Sequence, residues 1–224
     1  LYSLAHFLNT LHQIETTNGP LPGVHNFHRG GSLLAYDPEI HRAISCLKER
    51  IDTQLALNIW QKAIKSEWKS PPLWVHGDIS AGNLLVQKNQ LCGVIDFGQL
   101  AIGDPSCDLA ICWTLFDPKI RRAFQKAFSF QESNWARARG WAFWKALIVA
   151  AGFCNPNNYE SKHCWLVIEE IMKDQDLIKN IKNNINPSDA VNVLYDRHAG
   201  IFYRMINSYV PKHAHFADNE ELIQ

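Results

Sequence analysis

Two short segments contain polar side chains whose types and spacing suit metal-assisted chemistry on an oxygen-rich ligand. Residues 76–83 read His-Gly-Asp-Ile-Ser-Ala-Gly-Asn, and residues 94–98 read Val-Ile-Asp-Phe-Gly. Mg²⁺ prefers hard oxygen ligands in an octahedral shell, usually one or two carboxylates completed by phosphate and water oxygens. Asp96 can supply a charge and Asn83 a neutral oxygen, so these two residues are the predicted metal ligands.

The same segments fit the requirements of phosphoryl transfer. That reaction uses a catalytic Asp, an Asn five positions later and a second Asp after a hairpin, as Asp78, Asn83 and Asp96 provide. Asp78 is predicted to orient a substrate hydroxyl and accept its proton, which contributes about 10²–10⁴ in rate. His76 is grouped with it as a residue that holds the loop by hydrogen bonds. Ser80, Asn83 and Asp96 are predicted to bind the cofactor, ATP or GTP with Mg²⁺.

A β-hairpin must return Asp96 to Asn83. Short apolar runs typical of strands flank a polar turn at 87–90: Leu84–Val86 and Leu91–Ile95. If the two ends of the turn pair with each other, Asn83 lies opposite Val94, and Asp96 lies at the same end of the hairpin. Adjacent strands are ~4.8 Å apart, so the two side chains can converge on one cation.

Helices are predicted over most of the remaining chain. The apolar spacing and the capping residues indicate helices at 3–15, 37–51 and 53–68, a Gly-rich loop at 18–31, a strand at 73–75, and helices after Pro105 with breaks near Asp117-Pro118 and Asn155-Pro156. Asp37 is predicted as a helix N-cap followed by Pro38 at the first helical position. Residues 181–224 are less periodic and are predicted to form a helical appendage or tail.

The segment 103–110, Gly-Asp-Pro-Ser-Cys-Asp-Leu-Ala, predicts a helix start. Asp104 is expected to cap it, with Pro105 in the first position and Asp108 in the first turn. Capping explains Asp104 and Pro105 without any chemistry and leaves Asp108 open. A purely structural alternative makes Asp78 a loop cap, Asn83 a turn residue and Asp96 a strand terminator.

The composition favours a globular protein without a nucleic-acid or membrane partner. The chain has 224 residues, 46% of them hydrophobic, with 22 basic and 22 acidic side chains. A net charge of zero gives no electrostatic reason to bind nucleic acid or an anionic membrane. No run is apolar for long enough to span a bilayer, and 141–153, which contains Lys145, is predicted as a buried helix. The six Cys form no CxxC pair, which favours free thiols in a reducing cytoplasm.

The HGDxxxxN loop, the IDFG segment and the GDPxxDLA helix start occur in this order, and together they resemble the aminoglycoside phosphotransferase family, relatives of choline and homoserine kinases. The resemblance covers about residues 1–180, the predicted catalytic domain. It implies a protein-kinase-like fold, of which this chain would form the larger C-lobe, mainly α with a small β-hairpin (α+β). It also implies that Asp78 is the catalytic base, Asn83 and Asp96 bind Mg²⁺, and Asp108 anchors the catalytic loop.

The strand-rich N-lobe of such kinases, with its phosphate-covering loop and Lys–Glu pair, has no counterpart in this sequence. The chain begins at Leu1 inside an amphipathic pattern and has no signal-peptide pattern, which predicts that it starts after the hinge between lobes. Nucleotide affinity is therefore expected to be reduced. A partner chain or a second copy is expected to supply the lobe.

The substrate is predicted to be a small-molecule alcohol, with aminoglycosides and metabolite alcohols as the two candidates. Acidic residues at Glu160, Glu169, Glu170, Asp174 and Asp176 could line a pocket for a polycation, but interleaved lysines also fit a solvated helix face. Five Trp between 113 and 165 are predicted as core rather than as a sugar-stacking platform. His25, His28 and Arg29 are predicted to lie on a surface loop.

Two other classes of function remain open at this point. One is a non-catalytic remnant, a pseudokinase that binds only ligands or a partner. The other is a metal-dependent hydrolase using His76, Asp78 and Asp96, although such a site normally has more His or carboxylate ligands.

Overall fold

The computed structural model describes residues 2–182, and helices make up most of this part. Its α-helices are α1 (Tyr2–Leu11), α2 (Asp37–Cys46), α3 (Thr53–Ile64), α4 (Ile111–Thr114), α5 (Pro118–Gln125), α6 (Glu132–Ala150) and α7 (Asn158–Lys182). Its strands are β1 (Leu73–Val75), β2 (Leu84–Gln87), β3 (Gln90–Val94) and β4 (Ala101–Gly103). The predicted class, mainly α with a small hairpin, is confirmed for these residues.

The chain separates into two compact units, residues 1–178 and residues 179–224. The first contains every site residue predicted from the sequence. The appendage predicted at 181–224 falls, beyond Lys182, outside the described residues.

Helix α6 lies at the centre of the first unit. It packs against α2, α3, α4 and the 3-10 turn Pro105–Ala110. Side chains are buried on every face of its second half, including Trp141, Phe143 and Leu147. A helix that is apolar all round belongs in a core, as predicted for 141–153. Within residues 2–182, no helix combines the length and the apolar composition that a membrane span requires.

Two short antiparallel sheets carry the site. Strands β2 and β3 form the predicted hairpin, whereas β1 pairs with β4, with Val75 opposite Ala101. Strand β4 was not predicted, because its three residues, the last of them Gly103, are too few to show the alternation of apolar and polar side chains that marks a strand. This second sheet connects the chain before the 76–83 loop to the chain after Asp96.

The register of the hairpin differs from the prediction by one residue. Gln87 and Gln90 pair as expected, but Leu84, not Asn83, lies opposite Val94. The cause is a β-bulge: Leu91 pairs with Val86 and Gly93 with Leu85, so Cys92 is an extra residue on β3. Asn83 instead accepts a backbone hydrogen bond from Ile95 (3.0 Å).

Helix boundaries are the other correction. Helices α1, α2 and α3 end about four residues before their predicted ends, since apolar residues continue into the following turns. Asp37 is the first residue of α2 and not its N-cap, a position held by Tyr36. The Asp37 carboxylate instead accepts a hydrogen bond from Trp60 Nε1 (2.7 Å), which joins α2 to α3.

Candidate active site

The loop that follows β1 makes a sharp turn that only glycine can take. Gly77 has φ +86°, and a Cβ there would lie 2.2 Å from the carbonyl oxygen of Gln99. The loop at Gly77 therefore packs backbone to backbone against the segment that follows Asp96. The positive φ and the lack of space for a Cβ explain why Gly77 stands in the HGD motif.

Asp108 binds the backbone of the loop that follows β1. Its side chain is fully buried in the 3-10 turn after β4, and its two oxygens accept the backbone N–H groups of His76 (2.7 Å) and Gly77 (2.8 Å). Burial raises the pKa of Asp108 to about 7, while the two amides and the charge of Arg29 act in the opposite direction. Asp108, whose role helix capping did not explain, is thus in direct contact with the loop.

His76 is buried and bonded at both ring nitrogens. Nδ1 accepts the backbone N–H of Asp78 (3.2 Å), so Nε2 carries the proton and donates to the carbonyl of Ile95 (3.0 Å). Desolvation by burial lowers the pKa of His76, which favours this neutral form. The ring thereby joins the start of the loop to the residue before Asp96.

Asp78 and Asn83 contact each other directly. Asn83 Nδ2 donates to the backbone carbonyl of Asp78 (2.9 Å) and to its carboxylate Oδ2 (3.1 Å). Both residues are half-buried. Because the Asn83 amide nitrogen is used in this way, its Oδ1 is left as an oxygen donor facing away from Asp78.

Asp96 follows β3 in a left-handed conformation, with φ +66°. Its carboxylate is exposed and accepts the backbone N–H of Gly98 (3.3 Å). Because the preceding Ile95 bonds to the carbonyl of Asn83, the two predicted ligands lie at the same end of the hairpin despite the shifted register. Left-handed backbone is uncommon for residues other than glycine, although Asp adopts it more often than most, and it clusters at functional sites.

Oxygen donors dominate this arrangement, which fits Mg²⁺ better than a softer metal. Asp96 and Asn83 offer a carboxylate and an amide oxygen, with the Asp78 carboxylate beside them. Among residues 2–182, no three His, Cys, Asp or Glu side chains form a metal-binding group. Ser80 is half-buried, and its backbone carbonyl accepts the N–H of Asn83 (3.0 Å).

Asp104 caps the 3-10 turn as predicted, accepting the N–H of Ser106 (3.1 Å), with Pro105 in the first position. A second contact of Asp104 was not predicted from the sequence. Arg137 of α6 donates from Nε to the other Asp104 oxygen at 2.6 Å, and both side chains are buried. The turn carrying Asp108 is thereby fixed to the central helix.

The Gly-rich loop 18–31 lies against the site and is not a free surface loop. Ile102 donates to the carbonyl of Pro20 (2.8 Å), and Asp104 donates to that of Gly30 (2.7 Å). His25 is exposed as predicted, but His28 and Arg29 are half-buried, and Arg29 bonds to Gln99 (2.9 Å). No local motif marks Arg29, because its partner is 70 positions away.

The acidic residues of α7 are largely paired with cations. Glu160 pairs with Lys145 (3.4 Å), Glu169 with Lys173 (3.0 Å) and Glu170 with Arg121. The side chains of Asp174 and Asp176 lie outside the described part. Of the five predicted core tryptophans, four are buried and Trp165 is half-buried, stacked 3.8 Å from the Arg50 guanidinium. All six Cys are free, as expected.

Comparison with known proteins identifies two curated relatives. Aminoglycoside 3'-phosphotransferase of Escherichia coli is 33% identical over 129 residues, 55% of this chain and 47% of the relative. The same enzyme of Salmonella typhimurium is 32% identical over 132 residues, with the same shares. The chain therefore spans about half the length of the curated relatives it matches.

Solved structures support the fold. The GDP and kanamycin complex of APH(2")-IIia has a TM-score of 0.50 to this chain at 17% identity, over 76% of this chain and 61% of that one. At this identity, the likeness concerns the fold alone.

The model of the phosphotransferase enzyme family (APH) matches residues 1–141, well over half of the 224 residues, and this confirms the resemblance drawn from the three motifs. The chain belongs to the APH phosphotransferase family.

Proposed function

We propose that this chain carries the phosphate-transfer residues of a small-molecule kinase that uses ATP, or GTP, with Mg²⁺. The observation that supports this most is the placement of three oxygen-bearing residues at one end of the hairpin. Asp78 and Asn83 share a hydrogen bond of 3.1 Å, and Ile95, directly before Asp96, donates its backbone N–H to the carbonyl of Asn83.

In this proposal Asp78 binds the acceptor hydroxyl and takes its proton. Its carboxylate is held by Asn83 on one side, which leaves the other oxygen to the substrate. Asp108 and His76 do not touch substrate. They keep the loop in position through the backbone amides of residues 76–78 and the carbonyl of Ile95.

Asn83 and Asp96 would hold the metal, and Ser80, which bonds to Asn83 through its backbone carbonyl, would be a further nucleotide contact. When bound, Mg²⁺ would neutralise charge on the phosphate oxygens during transfer. The residues contribute a fixed, mostly backbone-anchored set of oxygens, which reduces the reorganisation needed when nucleotide binds.

The acceptor is proposed to be an alcohol of a small molecule. The names of the curated relatives make an aminoglycoside, and thus antibiotic resistance, one candidate. The pairing of Glu160, Glu169 and Glu170 with cations gives an acidic pocket on α7 little support. A metabolite alcohol is therefore an equal candidate. Six free thiols agree with a reducing cytoplasm as the place of the reaction.

We further propose that residues 1–180 act as the catalytic unit and that the strand-rich lobe comes from a partner chain, a second copy or additional sequence. The strand-rich lobe, which has no counterpart in this sequence, is also the reason for the alternative, a non-catalytic remnant that binds ligands. The hydrolase alternative is disfavoured because both ring nitrogens of His76 are already hydrogen-bonded, which leaves no lone pair for a metal.

The test replaces Asp78 with Asn and measures phosphate transfer from ATP to an aminoglycoside and to neutral alcohols, together with Mg-ATP binding by calorimetry. A kinase should lose turnover by at least about 10²-fold and keep nucleotide binding. Asp117→Asn, which makes the same change at the N-cap of α5 and keeps an oxygen to accept the capping N–H groups, is the matched control and should keep turnover.

Loss of metal binding in the Asp78 variant would favour the hydrolase. Nucleotide binding without turnover in the unaltered chain, even with its lobe restored, would favour the remnant.

A further inference from the structure

Arg29 connects the Gly-rich loop to two parts of the site. Its Nε donates to Gln99 Oε1 at 2.9 Å. Its guanidinium lies 4.9 Å from the ring centre of Trp141 and 5.6 Å from that of Trp144, both on α6. A planar cation stacked on two aromatic rings has its orientation fixed, which makes its hydrogen bond directional.

Gln99 transmits this contact to the catalytic loop. It stands three residues after Asp96, and its carbonyl oxygen would lie only 2.2 Å from a Cβ atom added to Gly77. Displacement of Gln99 would therefore move the backbone against which Gly77 turns. The Arg29–Gln99 bond thus acts on the residue directly before Asp78.

Arg29 is also the cation that acts on the buried carboxylate of Asp108. The other groups around Asp108 are Asp78, whose charge is repulsive, the thiol of Cys107 at 3.9 Å and the backbone N–H groups of His76 and Gly77. Burial raises the pKa of Asp108, and among the named side chains Arg29 alone lowers it. A buried carboxylate that accepts two amides needs a counter-charge to stay ionised.

We propose that Arg29 is a positioning residue for the catalytic loop, acting through Asp108 by its charge and through Gln99 by its hydrogen bond. The inference rests on the proposed function only in calling this loop catalytic. It assigns Arg29 no contact with substrate or nucleotide.

Simple packing is the competing explanation, because Arg29 also covers two tryptophans. Packing depends on the size of the side chain and not on its charge. Arg29→Met keeps most of the bulk and removes both charge and donor, whereas Arg29→Lys restores the charge without the planar fork. Arg42→Met is the matched control, since Arg42 stacks 4.8 Å from the ring centre of Phe153.

The experiment uses the full chain labelled with ¹⁵N-glycine and ¹⁵N-histidine and follows the amide resonances of His76 and Gly77 by NMR from pH 5 to pH 9. These amides report the ionisation of Asp108 directly, because it accepts both. In the Met variant their titration midpoint should rise by roughly one pH unit, the scale of a lost opposite charge. Their hydrogen exchange should be faster by about tenfold or more. The Lys variant should recover most of the midpoint and less of the protection.

Unchanged midpoints and exchange in the Met variant, with a stability loss like that of Arg42→Met, would overturn the proposal. The NMR measurement needs no turnover, so a chain without kinase activity still tests the inference. Where turnover is measured, the Met variant should lower kcat about tenfold with little change in the KM for nucleotide, and Lys should rescue part of it.

Discussion

His76, which is buried, and His12, which is half-buried, illustrate how burial and hydrogen-bond partners decide what a side chain can do. His76 is bonded at both ring nitrogens and holds the site. His12, one residue beyond α1, lies against the rings of Phe128 and Phe130, and its buried Nε2 has no hydrogen-bond partner in the part of the chain described. Desolvation lowers the pKa of His12 from 6.5 to about 4. This packing therefore disfavours the charged form of His12.

His12→Phe should remove an acid-sensitive term from the stability. Because the folded pKa is below the unfolded one, the unfolded chain binds the proton first as the pH falls from 6.5 to 4. Over that interval the original chain should lose about 3 kcal/mol relative to the variant. Urea unfolding at pH 7 and pH 4 measures this, with His6→Gln, exposed on α1, as the control. Equal losses in the His12 variant and the original chain would contradict it.

The sequence was sufficient to predict site residues whose separation along the chain is fixed by local structure. It was insufficient for residues whose partners are distant along the chain. Asp78, Asn83 and Asp96 were recognisable because a loop and a hairpin fix their separation along the chain. Arg29 and Arg137 were missed because their partners are 70 and 33 positions away. Nothing in the residues around either arginine specifies such a contact.

Among the elements, the β2–β3 hairpin matters most, because its register determines where Asp96 lies. The extra residue at Cys92 shifts the pairing so that Asn83 bonds to Ile95, directly before Asp96. Without the bulge, the same turn would place Asn83 opposite Val94. A one-residue change of register also exchanges the two faces of a strand.

Deletion of Val86 should therefore damage the site more than deletion of Cys92. Without Cys92 the bulge is lost, but Leu85 still lies opposite Gly93 and Leu84 opposite Val94, so Mg-nucleotide binding should change little. Without Val86 strand β2 is one residue shorter and Asn83 lies opposite Val94, which should turn Asp96 away and weaken binding at least tenfold. Calorimetry on both variants, with circular dichroism to verify folding, makes the comparison. Equal affinity in the two folded variants would show that the register does not position Asp96.

The kinds of element were more predictable than their ends and register. Apolar periodicity located the helices, but it continues past the point where the backbone stops being helical. The bulge could not be foreseen, because counting residues across a turn assumes regular pairing. Strand β4 is short, and it exists because β1 and the Gly-rich loop supply its partners.

For the molecule as a whole, α6 links the site to the core. Arg137 on this helix donates to Asp104 at 2.6 Å and, from Nη1, to Ser66 Oγ at 3.2 Å. It thereby joins three segments: α6, the end of α3 and the turn that carries Asp108. Since Asp104 and Arg137 are both buried, each depends on the other for compensation of its charge.

Arg137→Met should lower the free energy of unfolding by about 3–5 kcal/mol, because the Asp104 carboxylate would remain buried without its cation. Lys62→Met, which breaks an exposed pair with Glu132, should cost at most about 1 kcal/mol. Urea denaturation of each variant gives the two values. The double variant Asp104→Asn with Arg137→Met should recover part of the loss, since it removes the uncompensated charge. A loss for Arg137→Met no larger than that for Lys62→Met would mean that α6 holds the Asp108 turn by apolar packing alone.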